Sequence, residues 1–495
     1  MEGLTVTSKN VSKLSEHKFK KGIIVSPFNN SFGEMLKLNS WARDRLPEYV
    51  WLGLILNKYG RKAGLKRAEN ILWQLAQIDM ELTQPKISKI LNLSHDKQEK
   101  IFKIICTHID PNVLAPLTIV FRTKENDLFN NYFYDKAQSV DQRISIIKEI
   151  IGKCFDHQSN QATDLRYLCI SFLFFKGKVH AAGMTVEAIK NYSKTDHEDE
   201  KMKIYRPSIR SFEGIGMDID ETNTNFILYF WEELGLVTDC SPHYIKFTQY
   251  KEELVEFFHD TKKVIEHIMV LNKSKLLEDA KFNVLIGSMI YILKIADEVL
   301  NKELENAILG RHALRTILEV YIMMKYLVLK ENDRNNIFED YQVYGIGKYK
   351  HILLRVRESS IINEQSHIVV PLLESIVNEP MWEEFMNIDV RFFDQQNIKK
   401  KFEEVNEKEL YETYYEYGTN YAHGFWGAVR ESSLLFCDNP LHKYHSVPDI
   451  YFKQKLTSVA FDIDRLLKLY VQLLSETYEF PTWYKSKYEG IEYGI

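Results

Sequence analysis

Between Lys251 and Lys330 the chain repeats one pattern three times: a long run with apolar side chains at every third or fourth position, closed by a short polar turn. The runs are KEELVEFFHDTKKVIEHIMVL, KLLEDAKFNVLIGSMIYILKIADEVL and KELENAILGRHALRTILEVYIMMKYLVLK. An apolar stripe of that period must be buried on one side, and connections this short force consecutive helices to run antiparallel, so an up-down bundle follows. A helix over KQKLTSVAFDIDRLLKLYVQLLSETY completes it. We therefore expect a mainly α protein, with a tail over 1–30, a helical N-terminal domain over 31–245 and an antiparallel helical bundle over 246–495.

The first half obeys the same period less strictly. LNSWARDRLPEYVWLGLILNKYG reads as a helix with Gly60 as its stop, and SVDQRISIIKEIIGKCF and TDLRYLCISFLFFKGKV continue the pattern. Asn-Gly or Asp-Gly turns between alternating residues are absent, so hairpins are not expected. NYSKTDHEDEKMKIYRP reads as a surface loop that leaves His197 in solvent. The boundary between the halves falls near SPHYIKFT, residues 241–248.

Composition narrows the function classes. The five cysteines are odd in number and free of any Cys-x-x-Cys pair, which argues against a disulfide framework and for a reducing cytoplasm. Lys294 and Lys325 interrupt the longest apolar runs before they reach the ~18 residues of a membrane span, and the N-terminus carries no apolar leader, so neither membrane insertion nor secretion is expected. A net charge of -5 leaves room only for a local basic groove, for which KYKHILLRVR and NIKKK are candidates against the simpler reading of solvated faces. Walker A, GxSxG and HExxH motifs are all missing, which removes P-loop hydrolysis.

Chemistry could sit on two helices. Arg311, Arg315 and Glu319 follow at intervals of four and share one face of a helix that must be largely buried, so their charges need partners. YYEYGTNYAHGFWGAVRESS, residues 414–433, reads as one helix, opened by Asn406 with Glu409 and closed at Pro440; Glu416, His423 and Arg430 recur every seven residues along its polar strip. Its glycines, Gly418, Gly424 and Gly427, each cost about 1 kcal/mol in a helix and call for a close approach or a deformation. If the two polar strips face each other, the arginines, glutamates and His423 share a cleft fit for a phosphate. The catalytic reading makes His423 the general acid or base and gives Arg311 and Arg430 the task of stabilising developing negative charge; the architectural reading makes Arg311–Glu416 and Arg315–Glu319 buried ion pairs. Cys437, His442, His445 and Asp449 have zinc-binding donors, but their spacing matches no established site, and neither metal nor cofactor is expected.

At FNVLIGSMIYILKIADEVL, GRHALRTILEVYIMMKYL and YGTNYAHGFWGAV the chain resembles an uncharacterised bacterial helical family with an Arg-x-x-x-Glu helix and a later Tyr-x-His-Gly element, here Arg315, Glu319, Tyr421, His423 and Gly424. That family is similar in helical layout to HEPN domains, many of which are metal-independent endoribonucleases that act as dimers. The HEPN Arg-x4–6-His pair is missing from this chain. The resemblance implies a homodimeric effector of stress or antiphage defence. Its catalytic residues would be His423, Arg311 and Glu319; Arg315, Glu416, Tyr421 and Arg430 would hold RNA or a nucleotide. The alternative is a non-catalytic sensor or scaffold that binds a nucleotide, nucleic acid or partner protein through the arginines.

Overall fold

The computed structural model describes residues 12–32, 40–79, 82–178, 183–215, 223–247, 252–359, 366–442 and 445–488; the first eleven residues of the expected tail lie outside them. The chain is mainly helical, and its contacts divide it into two units: 1–243 with 435–447, and 244–434 with 448–495. Within 12–32 the structure departs from a plain tail, because strands β1 (Lys18–Lys20) and β2 (Ile23–Val25) form a hairpin. Its turn is Lys21-Gly22, both at positive φ (48° and 82°), which meets the primed-turn requirement without the Asn-Gly signature.

The first unit is built around α1 (Leu46–Ile78), whose leading half is buried almost without interruption. Gly60 does not end this helix; it kinks it at φ 71°, and a second helical stretch follows at once. Helices α2 (His95–His108), α3 (Val140–Phe155), α4 (Asn160–Phe175), α5 (Met202–Ile215) and α6 (Thr224–Leu236) pack in the same unit. Their starts are written locally: Ser139 and Gln142 form a reciprocal capping box on α3, and Ser159 and Asn223 cap α4 and α6. Strand β3 (Pro242–His243) pairs antiparallel with β4 (Leu434–Cys437), and β5 (Ser446–Pro448) completes a small sheet. The returning segment 435–447 thereby belongs to the first unit, and Leu441 enters its core fully buried.

The second unit contains α7 (Glu252–Leu271), α8 (Ala280–Asn301), α9 (Ile308–Lys330), α10 (Ile337–Glu358) and α13 (Ala460–Ser475), with α11 (Glu416–Ala422) and α12 (Trp426–Ser433) between the last two. Phe282, Leu285, Met289 and Ile292 of α8 meet Leu314, Ile317, Leu318 and Tyr321 of α9 and Ile463, Leu467, Tyr470 and Leu474 of α13 in one core. Each such side chain contributes about 1.5–3 kcal/mol by leaving water. The Tyr470 hydroxyl, buried among them, donates to the Leu285 carbonyl at 2.8 Å. The basic runs of this unit are consumed in part: Lys348 and Lys401 donate to backbone carbonyls and Arg357 pairs with Glu374 and Glu383, while Arg355, Lys399 and Lys400 are exposed. Among the described residues no helix is long and apolar enough to cross a membrane.

The stretch 414–433 is not one helix. A π turn over Tyr411–Tyr415 leads into α11; the chain breaks at Gly424 (φ 59°), restarts as α12 and turns into β4 at Leu434, well before Pro440. Asn406, itself at φ 61°, does not cap it. The glycines divide the labour: a Cβ on Gly418 would stand 3.1 Å from the Arg315 Cβ, Gly424 supplies the left-handed turn, and Gly427 faces open space.

Candidate functional site

A cavity of about 220 Å³ opens in the second unit between the start of α9, α11 and the approach to α13. Its walls include Arg311, Arg315, Tyr414, Tyr417, Ser458 and Asp462. Gly310 and Gly418 let the backbone close in, since a Cβ on Gly310 would fall 2.5 Å from the Leu304 carbonyl oxygen.

Arg311 is 3% exposed. Its Nη1 donates to the carbonyls of Glu305 (3.1 Å) and Ala307 (3.4 Å), and its Nη2 to that of Thr457, so it ties the segment before α9 to the segment that leads into α13. Its guanidinium also lies 5.9 Å from the Tyr421 ring. Among the described residues it forms no ion pair; the expected partner Glu416 is exposed and hydrogen-bonds Tyr411 instead. Arg315 behaves differently. Its Nη2 stands 3.0 Å from Glu319 Oε1 and 2.7 Å from the Tyr415 hydroxyl, which in turn donates to Glu319 at 2.9 Å. The guanidinium stacks 4.6 Å over the same tyrosine, whose phenol is pushed up to about 12 by burial and then by Glu319. Asp462 is half-buried; burial raises its carboxyl above the usual range, while Tyr414, Arg465 and Arg311 pull it back.

His423 follows α11 on the surface, with its ring stacked on Phe425 at 5.5 Å, and it is not among the cleft walls. Arg430 donates to the Leu434 carbonyl at 2.6 Å. The seven-residue alignment of Glu416, His423 and Arg430 required an unbroken helix, and Gly424 removes it. Thus Arg311 and Arg315 line the cleft, Glu319 pairs with Arg315, the Tyr421 ring lies 5.9 Å from the Arg311 guanidinium, and Glu416, His423 and Arg430 are not among the cleft walls.

One grouping escaped the sequence, and in another the sequence named three of the four members. His197 is 14% exposed rather than solvated: its Nε2 meets Asp164 at 3.2 Å, beside the Arg61–Asp164 pair (3.1 Å) and a second cavity of about 260 Å³. In the same unit Cys437, His442 and His445 converge, joined by Cys240 in place of Asp449, which caps the backbone of Lys453 and Gln454. The partner lies nearly 200 positions away, beyond any local spacing rule.

No curated protein and no solved structure matches the chain. Residues 283–440, which carry Arg311, Arg315, Glu319, Tyr421 and His423, are similar to an uncharacterised family, a family of unknown function (DUF5677).

Proposed function

We propose that the second unit is a non-catalytic binding module, the sensor or scaffold of a stress or defence effector, whose cleft takes the phosphate end of a nucleotide or of a nucleic-acid strand. The observation that carries this reading is Arg311: a buried cation held by carbonyls, with no ion-paired acid among the described residues, in the wall of an open cleft. A guanidinium so placed has its charge left over for a ligand, and charge-assisted hydrogen bonds to phosphate are about twice as strong as neutral ones. The volume, about 220 Å³, is below the ~300 Å³ at which drug-sized sites begin, so it suits a phosphate or sugar-phosphate group with the rest of the ligand outside.

Titrating the full-length protein with ATP, with GTP and with a short single-stranded RNA tests it. Arg311→Met, checked for a native-like melting transition, should weaken capture about tenfold or more, the cost of one charged hydrogen bond, while the ligand is recovered unchanged; Arg315→Met, whose charge Glu319 already meets, should cost less. Binding of none of the three probes, or binding indifferent to Arg311→Met in folded protein, would overturn the reading. The nuclease alternative predicts otherwise: RNA cleavage or toxicity in wild type that disappears in His423→Ala.

A further inference from the structure

The geometry points to a structural zinc site in the first unit, formed by Cys240, Cys437, His442 and His445. One donor atom from each lies within 4.8 Å of all the others. The sulfur–nitrogen separations are 3.4 Å from Cys240 to His442 Nδ1, 3.2 Å from Cys240 to His445 Nε2 and 3.7 Å from Cys437 to His442 Nδ1. Zinc bonds of about 2.3 Å to sulfur and 2.0–2.1 Å to nitrogen, set tetrahedrally, require edges of about 3.5–3.6 Å. The three sulfur–nitrogen separations lie close to that edge, and the remaining donor pairs are within 4.8 Å.

The surroundings orient the donors. His442 Nε2 lies 3.0 Å from the Thr238 carbonyl, a partner that can only accept, and 2.8 Å from the Thr238 hydroxyl. The proton is therefore on Nε2, which leaves the Nδ1 lone pair directed between the two sulfurs, the outer-shell arrangement metal-bound imidazoles use. The Ser241 N–H points at Cys437 Sγ at 3.4 Å and would stabilise a thiolate there. A disulfide between the two cysteines would need neither imidazole, whereas a soft, tetrahedral S2N2 set selects zinc. With all four positions supplied by protein, no place is left for substrate, so the role is structural.

The topology shows what the ion would hold. Cys240 precedes β3 and Cys437 ends β4; Asp438 N–H donates to the Ser241 carbonyl at 2.7 Å and the Asn439 amide to the Asp239 carbonyl at 3.0 Å. Residues 244–434 leave and rejoin the first unit at this point. Zinc there closes that long excursion at its base, and its uptake releases the two thiol protons to solvent.

The test uses full-length protein prepared with reductant and supplied with zinc. Elemental analysis should find about one zinc per chain, and cobalt in its place should give the visible bands of a tetrahedral thiolate-ligated ion. The double variant C240S/H445A, changed at the two exposed ligands, should lose at least tenfold in metal affinity, and chelation should lower the melting temperature of wild type but not of the variant. Absence of stoichiometric zinc, a cobalt spectrum without tetrahedral character, or a Cys240–Cys437 disulfide in protein isolated without oxidant would overturn the assignment. If C240S/H445A does not fold, the cobalt spectrum of wild type decides alone.

Discussion

An arginine cluster of the first unit and Arg311 of the second are buried with opposite kinds of partner, although Arg143 of the first unit, 4% exposed, also meets a hydroxyl and a carbonyl without an acid among the described residues. In the first, Arg45 and Arg166 flank the Trp41 ring at 5.1 and 4.7 Å and both reach Glu213, while Arg61 is joined to Asp164. In the second, Arg311 is as buried as any of these, yet its hydrogen bonds go to carbonyl oxygens, with the Tyr421 ring 5.9 Å away and the Asp462 carboxyl sensing its charge from the same cleft wall. Removing a guanidinium from water costs several kcal/mol, and a facing carboxylate recovers much of it at once. A cation offset only by dipoles keeps a positive field, and a neighbouring cleft is where a ligand can feel it. Burial is therefore no guide to function here; the nature of the partner separates an architectural arginine from one with charge to spare.

The largest test of this contrast is Glu213→Ala. It leaves Arg45 and Arg166 buried around Trp41 without their shared acid, and about 3–5 kcal/mol of the first unit's stability should vanish, read as a lower urea midpoint. Glu416→Ala in the second unit should fall within about 0.5 kcal/mol of wild type, since Arg311 does not depend on it. Equal losses in both variants would erase the distinction.

How much of this could be read from the sequence depends on range. The long helices around α8 and α9 were legible because their apolar period is a local property, and the Arg315–Glu319 pair because an interval of four residues fixes it. His423 could not be placed, since its address depends on whether Gly424 adopts positive φ, and a glycine in an apolar pattern carries no sign of which it will do. Cys240 was invisible as a ligand for another reason: its partners arrive through a chain return that only the fold supplies. Likewise Arg311 looked as if it wanted Glu416, because sequence shows candidate acids and hides carbonyls.

The glycines sharpen the picture at intermediate cost. Gly418→Ala drives a methyl group against the Arg315 Cβ, an atom fixed to the α9 backbone, and should cost about 1–3 kcal/mol together with the Arg315–Tyr415–Glu319 contacts. Gly424→Ala forces a left-handed alanine at about 1–2 kcal/mol but leaves the cleft unobstructed. Gly427→Ala, in open space within α12, should be neutral or stabilising by up to ~1 kcal/mol. Chemical denaturation of the three variants checks the order, and ligand titration should find the first alone impaired.

The smallest effect concerns Asp462. Burial raises its carboxyl above the ordinary carboxylate value, so over the interval between the two values the folded protein holds a proton that the unfolded chain has released. Stability from this group is thus fully present below the unfolded value and declines as pH rises through the folded one, the reverse of a salt-bridged aspartate. Asp462→Asn should flatten that part of the stability–pH curve, measured as the difference in urea midpoint from wild type across the acidic range. It should also tighten anion capture several-fold at neutral pH, because it removes the negative wall beside Arg311 without touching the guanidinium. A variant that bound anions more weakly would mean that Asp462 orients Arg311 for the ligand instead of competing with it, and the spare charge of the second unit would then belong to the pair.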